Sequence, residues 1–245
     1  MKKILIIFLS FFTCYSFSQE ISGEVTYKKV LDLGKLKASV DDSKSKALLA
    51  KVQEENQGKQ YTLTFNANES TYTRLKTVQN DAEGAFTKLN LGNFKGVLYT
   101  NMQDNETIHQ KEYLGELILV KDSINYNWEL LNETKKIGKY NCQKALLKIK
   151  YADINGNSKV RKVVCWYTPD IPVPFGPEKF NSLPGLILEL STSKGAVVAT
   201  EITISNTKEL LEIKKPKKGK EFSEKELDDK ARKILLERMK KVKKS

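Results

Sequence analysis

The sequence GPEKFNSLPGLIL, at residues 176–188, decides how the surrounding chain folds. Two Gly/Pro pairs, at 176–177 and 184–185, flank Phe180, and an apolar run begins at Leu186. Proline fixes its φ angle and lacks an amide donor, whereas glycine adopts conformations that other residues avoid. The pattern therefore predicts a stiff, irregular segment that leads directly into a strand.

The same irregular character extends upstream through a proline-rich passage. Four prolines, at positions 169, 172, 174 and 177, follow a β-rich stretch that ends at Thr168. We call residues 169–185 the strap, and we expect it to be extended and stiff. Its rings have two interpretations: they plug one end of a sheet, or they and the prolines form a groove for an apolar or peptide ligand. The candidate binding residues are Trp166, Tyr167, Pro169, Phe175, Phe180, Pro184 and Gly185.

A long β-hairpin over residues 139–168 precedes the strap. Two β-rich arms flank Asn155-Gly156, a dipeptide that is favoured in two-residue type I′ turns. Such a turn pairs Ile154 with Asn157, and it leaves one face apolar and the other wetter, as in an antiparallel sheet. The predicted register pairs Leu147 with Val164, Ile149 with Lys162, Tyr151 with Val160 and Ala145 with Trp166.

This register bears on the two cysteines that remain after residue 18. It places Cys142 opposite Pro169, so Cys142 and Cys165 are offset by four residues, roughly 13 Å along a strand. A disulfide needs Cα atoms within about 7 Å of each other. We therefore predict that Cys142 and Cys165 are two separate, buried thiols rather than a disulfide.

The rest of the chain predicts short strands and two peripheral helices. Alternating apolar and β-branched residues indicate strands over 23–31, 61–65, 70–75, 96–100, 107–113, 115–120, 186–190 and 196–205. Helices are predicted over 44–57 and 224–242, the second starting at a capping box of Ser223 and Glu226. The predicted fold class is mainly β, α+β at the margins: a curved antiparallel sheet or meander, with a half-barrel as an alternative.

The two ends of the chain predict its compartment and its division into parts. Lys2 and Lys3, an apolar stretch over 4–12 and small residues before Gln19 are typical of an export signal over residues 1–18. We expect an exported protein that is periplasmic, outer-membrane associated or secreted. A β domain over 19–207 and a basic, partly helical tail over 208–245 complete the predicted organisation.

The positive charge of the chain is concentrated in that tail. Residues 208–245 hold 15 Lys and Arg against 8 Asp and Glu, within a formal net charge of +12 for the whole chain. The body does not have the basic patches of a nucleic-acid-binding protein. The tail is interpreted as a solvated helix end, or alternatively as a segment that contacts an anionic membrane surface.

Chemical signatures are scarce in this sequence. His109 is the one histidine, and we interpret it as a surface residue because zinc sites need three or four convergent ligands. No Gly-x-Ser-x-Gly, P-loop or Gly-x-Gly-x-x-Gly occurs. We predict no catalytic residue, metal or cofactor. One alternative is that Lys139 and Lys144 depress the thiol pKa of Cys142 and make it a nucleophile.

Several ordered motifs resemble one family. Cys142-Gln143-Lys144-Ala145, the run at 166–172, Gly176-Pro177, Phe180 and the Leu183–Ile187 stretch are similar to the GLPGLI family of exported Bacteroidetes proteins. The resemblance is densest over residues 128–190, and it implies an envelope compartment and a mainly β fold but no known activity. Ser182 replaces the first glycine of the family name, so this position cannot require glycine. Cys165 stands where a small residue is expected.

These observations lead to one functional hypothesis and two alternatives. We expect an exported envelope protein of non-enzymatic binding or accessory type, with residues 166–185 as its site. Its partner would be an apolar ligand, a peptide or an outer-membrane protein. The alternatives are a thiol-dependent enzyme that uses Cys142, and a purely structural interaction protein.

Overall fold

A computed structural model describes most of the chain after residue 20. The described residues are 21–30, 59–75, 94–124, 126–153, 156–193, 195–205 and 211–242, with Ser43, Lys46, Ala47 and Ala50. Within 224–242, the described side chains are those of residues 224–234, 236 and 237. The predicted export signal over 1–18 and most of the predicted helix over 44–57 lie outside these residues.

Twelve strands and a C-terminal helix make up the described part of the chain. The strands are β1 (Ser22–Val30), β2 (Gln60–Phe65), β3 (Glu69–Arg74), β4 (Val97–Asn101), β5 (Glu106–Tyr113), β6 (Glu116–Ser123), β7 (Glu129–Ile137), β8 (Tyr140–Ala152), β9 (Ser158–Thr168), β10 (Leu186–Thr192), β11 (Gly195–Ser205) and β12 (Lys220–Ser223). The helix, α1, is Glu224–Val242. The prediction of a mainly β protein is confirmed.

All twelve strands belong to one open sheet. Their order is β12-β6-β5-β4-β3-β2-β1-β11-β10-β9-β8-β7. Neighbours are antiparallel throughout the described strands except for β12, which runs parallel to β6. The predicted antiparallel sheet is confirmed for the other strands, and β12 departs from it because the chain reaches β6 again by a long connection rather than by a hairpin.

The sheet is strongly curved, as the position of α1 requires. Leu227 of α1 packs against Ile118 and Val120 of β6, while a Cβ built on Gly156, at the β8–β9 turn, would lie 3.4 Å from Nη2 of Arg232. In a flat sheet β6 and β9, eight strands apart in the order, would be separated by about 38 Å. Five residues of helix rise only about 8 Å, so the sheet must bend toward α1.

The main core lies on the face that we call the inner face, between the sheet and the strap. Alternation of side chains along the strands directs rings such as Tyr27 and Tyr72 to this face. The strap adds buried Ile171, Phe175 and Leu183 to the same cluster. Each fully buried large apolar side chain contributes about 1.5–3 kcal/mol, so the strap is an integral part of the core.

The register of the β8–β9 hairpin differs by one residue from the prediction. Asp153 N donates to Asn157 O at 2.9 Å, and Gly156, with φ of 86°, donates to Asp153 O at 2.9 Å. Asp153 Oδ1 also accepts from Asn157 N at 2.8 Å. This carboxylate closes a three-residue loop, so the pairs are Leu147–Val163, Ile149–Arg161, Tyr151–Lys159 and Ala145–Cys165.

The C-terminal segment wraps around the β6 edge of the sheet. Ile213 packs on the outer face against Tyr99, Ile108 and Leu119. After β12 has extended the edge, α1 crosses to the inner face, where Leu227 is buried.

The predicted start of α1 is confirmed by its cap. Ser223 N donates to Glu226 Oε2 at 2.7 Å, and Glu226 N donates to Ser223 Oγ at 3.2 Å. This reciprocal arrangement is a capping box. Among the described residues, no helix has both the length and the apolar character that crossing a bilayer requires.

Candidate functional site

A cleft of about 350 Å³ lies on the inner face, where the sheet, the strap and α1 meet. Its apolar wall includes Phe94, Leu98, Val120, Phe180, Val197 and Leu227. Ionisable groups from several elements interrupt this wall. A volume above about 300 Å³ with an apolar lining and a few polar groups is typical of small-molecule sites.

Strand pairing explains why β5 and β6 both contribute to the cleft. His109 lies opposite Val120, and Thr107 lies opposite Asp122. Because side chains alternate between faces, every second residue of these strands is directed to the inner face. Lys111 follows His109 on the same face.

An acidic cluster connects α1 to β6 and the strap. Lys179 Nζ donates to Glu224 Oε1 at 2.5 Å. A hydrogen bond to Glu224, together with burial, raises the pKa of Asp122 to about 6, while that bond and the Lys179 ammonium lower the pKa of Glu224. Burial and the nearby Glu224 charge raise the pKa of Asp228. The pKa of Asp122 thus lies closer to neutral pH than that of an ordinary aspartate.

His109 is half-buried in the cleft, and its predicted surface position is wrong. Its ring stacks on Phe94 with centroids 4.7 Å apart. Its Nε2 donates to Lys95 O at 2.7 Å, since a carbonyl oxygen can only accept. Burial lowers the pKa of His109 to about 4, so the ring is neutral at physiological pH.

The predicted binding residues do not form one exposed site. Tyr167, Phe175, Phe180 and Gly185 are buried, whereas Pro169 and Pro184 are exposed. Phe180, 6% exposed, is the one of these seven that lines the cleft. Trp166 is half-buried against the main core, and its ring centroid is 4.5 Å from Lys135 Nζ and 5.7 Å from Lys144 Nζ.

Backbone hydrogen bonds fix the strap to the start of β10. Leu186 N donates to Ile171 O and Ile187 N donates to Phe175 O, both at 3.0 Å. The Tyr27 hydroxyl donates to Ile187 O at 2.6 Å, and Trp128 Nε1 donates to Asn181 O at 2.8 Å. The strap therefore positions Phe180 and Lys179 on a rigid support beside the cleft.

Three positions in the strap have positive φ angles, and one of them is Glu178, with φ of 57°. Gly185 has φ of 155°, and a Cβ there would lie 2.2 Å from Thr168 O. Ser182 has φ of 69°, a region that favours glycine. Position 182 does not strictly require glycine, since serine occupies it. The serine backbone nevertheless has a conformational cost there.

Both described cysteines are free and buried, with Cys165 opposite Ala145 rather than Cys142. Burial raises the pKa of Cys142 to about 11. The alternative that Lys139 and Lys144 depress this pKa is not supported, because the loss of hydration outweighs the Lys135 charge. Within the described ranges, no group of three His, Cys, Asp or Glu side chains is arranged to hold a metal ion.

Sequence reasoning missed most of the cleft residues. Asp122, Lys179 and Glu224 come from a strand, the strap and a helix that are far apart in sequence. The capping box at Ser223 correctly placed the start of α1. Nothing in the local pattern indicated that this start lies beside β6.

Comparisons with known proteins support the fold and part of the family resemblance. A family described as a protein of unknown function (Porph_ging) matches residues 152–189, which contain β9 and the strap. The match therefore does not confirm the resemblance to the GLPGLI family. The search among curated proteins gave no match.

Two solved structures are similar in fold. The structure of PNGF-II in space group C2 has a TM-score of 0.51 and 17% identity, and the alignment covers 86% of this chain and 32% of that chain. The P21 form has a TM-score of 0.48 and 16% identity, with 85% and 32% coverage. This chain thus corresponds to about a third of PNGF-II, and the likeness concerns the fold alone.

Proposed function

We propose that this protein is an exported cell-envelope protein of the GLPGLI group that binds an apolar or peptide ligand in the cleft on its inner face. The cleft is the observation that carries the proposal: about 350 Å³ of space lined by aromatic and aliphatic side chains with convergent ionisable groups. Compared with the hypothesis from sequence, the site moves from the strap as a whole to the space beneath Phe180.

The chemistry of the cleft favours a ligand with an apolar body and polar ends. Phe94, Tyr126 and Phe180 offer ring surfaces, which bind apolar groups without a fixed orientation. Lys29 and Arg161 also line the cleft, as do the acidic groups of α1. Both signs of charge around an apolar centre suit a short peptide or another amphiphilic molecule.

A thiol-dependent reaction gains no support from the position of Cys142. Its side chain is 0% exposed, and its raised pKa keeps it as a thiol near neutral pH, whereas the thiolate is the nucleophile. Binding is therefore the function that the geometry supports best.

Lys111→Trp tests the proposal by filling the cleft. Lys111 is half-buried and lines the cleft on β5, on the same face as His109, so an indole there would occupy the space that a ligand needs. We expect the full chain to bind the fluorescent apolar probe N-phenylnaphthylamine, and we expect the variant to bind it at least about tenfold more weakly.

Glu112→Trp is the matched control on the same strand. Glu112 is exposed, is directed to the opposite face of the sheet and lies outside the cleft lining, so this variant should bind the probe like the wild type. Equal probe binding by wild type and Lys111→Trp, or no binding by either, would refute the cleft as the ligand site.

A further inference from the structure

α1 is the least buried element around the cleft. Of its described side chains, only that of Leu227 is buried, at 7% exposure, and those of Glu224 and Ile234 are half-buried. The other described side chains of this 19-residue helix are exposed, and most of them are charged. A helix that covers a cleft with so little apolar contact is weakly held compared with the strands below it.

The contacts that hold α1 down are few and local. Leu227 packs against Ile118 and Val120, and Glu224 accepts from Lys179 of the strap. Farther along, the Arg232 guanidinium approaches Gly156 at the β8–β9 turn. Both Lys179 and Glu224 are 41% exposed, and an ion pair so open to water contributes little.

The helix nevertheless occupies the position that controls access. Glu224, Leu227 and Asp228 of α1 line the cleft together with Lys179 and Phe180 of the strap. The contacts at Leu227 and Arg232 lie over opposite ends of the sheet order. A displacement of α1 would therefore uncover one side of the cleft without disturbing the main core.

We propose that α1 is a lid over the cleft, hinged where β12 ends at Ser223 and held closed by Leu227 and by the Glu224–Lys179 ion pair. This inference rests on the proposed binding function, because a lid regulates the entry and release of a ligand. Opening exposes the Leu227 contact, the Glu224–Lys179 ion pair, the Glu224–Asp122 hydrogen bond and the approach of Arg232 to Gly156 to water, and it leaves the capping box at Ser223 intact.

Hydrogen exchange of the full chain, without any ligand, tests the lid directly. We expect the backbone amides of α1 to exchange at least about 100-fold faster than those of β1 and β2, because they open without global unfolding. Leu227→Ala should accelerate the α1 amides by a further factor of about 10 or more. The β1 and β2 amides report in the same experiment whether the variant unfolds globally.

Two controls keep the test specific. Leu236→Ala changes an exposed leucine of the same helix, 38% exposed, and should leave α1 exchange unchanged. Lys179→Glu or Glu224→Lys alone replaces the ion pair with two like charges, so each should speed α1 exchange and the association of N-phenylnaphthylamine, and the double reversal K179E/E224K should restore both.

The outcomes separate the lid from the binding site. If α1 amides exchange only as slowly as the sheet, or if Leu227→Ala and Leu236→Ala act alike, the lid is refuted even though the probe binds. If α1 responds as expected and the probe does not bind, the lid motion stands and the proposed ligand site fails.

Discussion

The Lys179 ammonium donates to the Glu224 carboxylate at 2.5 Å, although the two residues are 45 positions apart in sequence. Glu224 also hydrogen-bonds Asp122, so one carboxylate joins the strap, α1 and β6. The electrostatic state of the cleft therefore depends on this glutamate.

Glu224→Gln should lower the pKa of Asp122 from about 6 toward its ordinary value. The hydrogen bond to the Glu224 carboxylate is the largest cause of the elevated pKa, and a neutral amide removes the adjacent negative charge. Carboxyl chemical shifts recorded against pH would measure the change. Glu237→Gln, at an exposed position of the same helix, should leave the Asp122 titration as it is, and an unchanged Asp122 pKa in Glu224→Gln would refute the coupling.

His109 should make the protein less stable on acidification. Its folded-state pKa is lowered to about 4 from an ordinary 6.5, so the unfolded chain takes up a proton first. The stability that neutral His109 contributes is fully present above about pH 6.5. As the pH falls toward 4, the free energy of unfolding decreases by up to about 3 kcal/mol. Urea unfolding at several pH values should show a smaller loss for His109→Gln than for the wild type. If the free energy of unfolding depends on pH in the same way in both proteins, the lowered pKa of His109 is contradicted.

Tyr27→Phe should lower the free energy of unfolding by about 1–2 kcal/mol. The Tyr27 hydroxyl is buried and donates to Ile187 O, and the substitution leaves that carbonyl without this donor. Tyr72→Phe is the matched comparison, since the Tyr72 hydroxyl is buried and has no hydrogen-bond partner among the described residues. That variant should be neutral or more stable in denaturant titrations. Equal losses from the two substitutions would be inconsistent with an anchoring role for Tyr27.

Gly185→Ala should destabilise the fold by about 2 kcal/mol or more. An added Cβ would contact Thr168 O at 2.2 Å, in a backbone conformation that L-residues avoid. Gly138→Ala controls for conformation alone, because Gly138 has φ of 57° and nothing within 4 Å of an added Cβ. Its cost should be about 1 kcal/mol. If thermal unfolding shows equal losses of stability for the two variants, the close approach of the backbone at Gly185 is unimportant.

Ser182→Gly should raise stability by about 0.5–1 kcal/mol. Glycine removes the cost of φ at 69°, while it adds flexibility to the unfolded chain. Ser182→Ala keeps that backbone cost and loses the hydroxyl bond to Asn181, so it should be less stable than the wild type. A destabilised glycine variant would show that the serine hydroxyl matters more than the backbone.

Local patterns in the sequence were sufficient to predict the start of α1 and all of the strands except β7 and β12. Alternation predicted most strands, and Ser223 with Glu226 marked the helix because a capping box depends on neighbouring residues alone. The hairpin register was missed by one residue because the Asp153 side chain closes a longer loop than Asn155-Gly156 indicated.

The site could not be predicted in the same way. Cleft formation depends on the curvature of twelve strands and on the path of the C-terminal segment around β6. His109 and Cys142 show the consequence: their pKa values are set by burial among residues distant in sequence. Neighbouring lysines gave no indication of that burial.

Native mass spectrometry of the gently purified full chain tests the central claim most directly. If the cleft binds an apolar or peptide ligand, the wild-type protein and Glu112→Trp should carry an additional mass that is lost on gentle activation, and Lys111→Trp should lack it. An additional mass that is equally present on Lys111→Trp, or absent from all three proteins, would contradict a ligand site beneath Phe180.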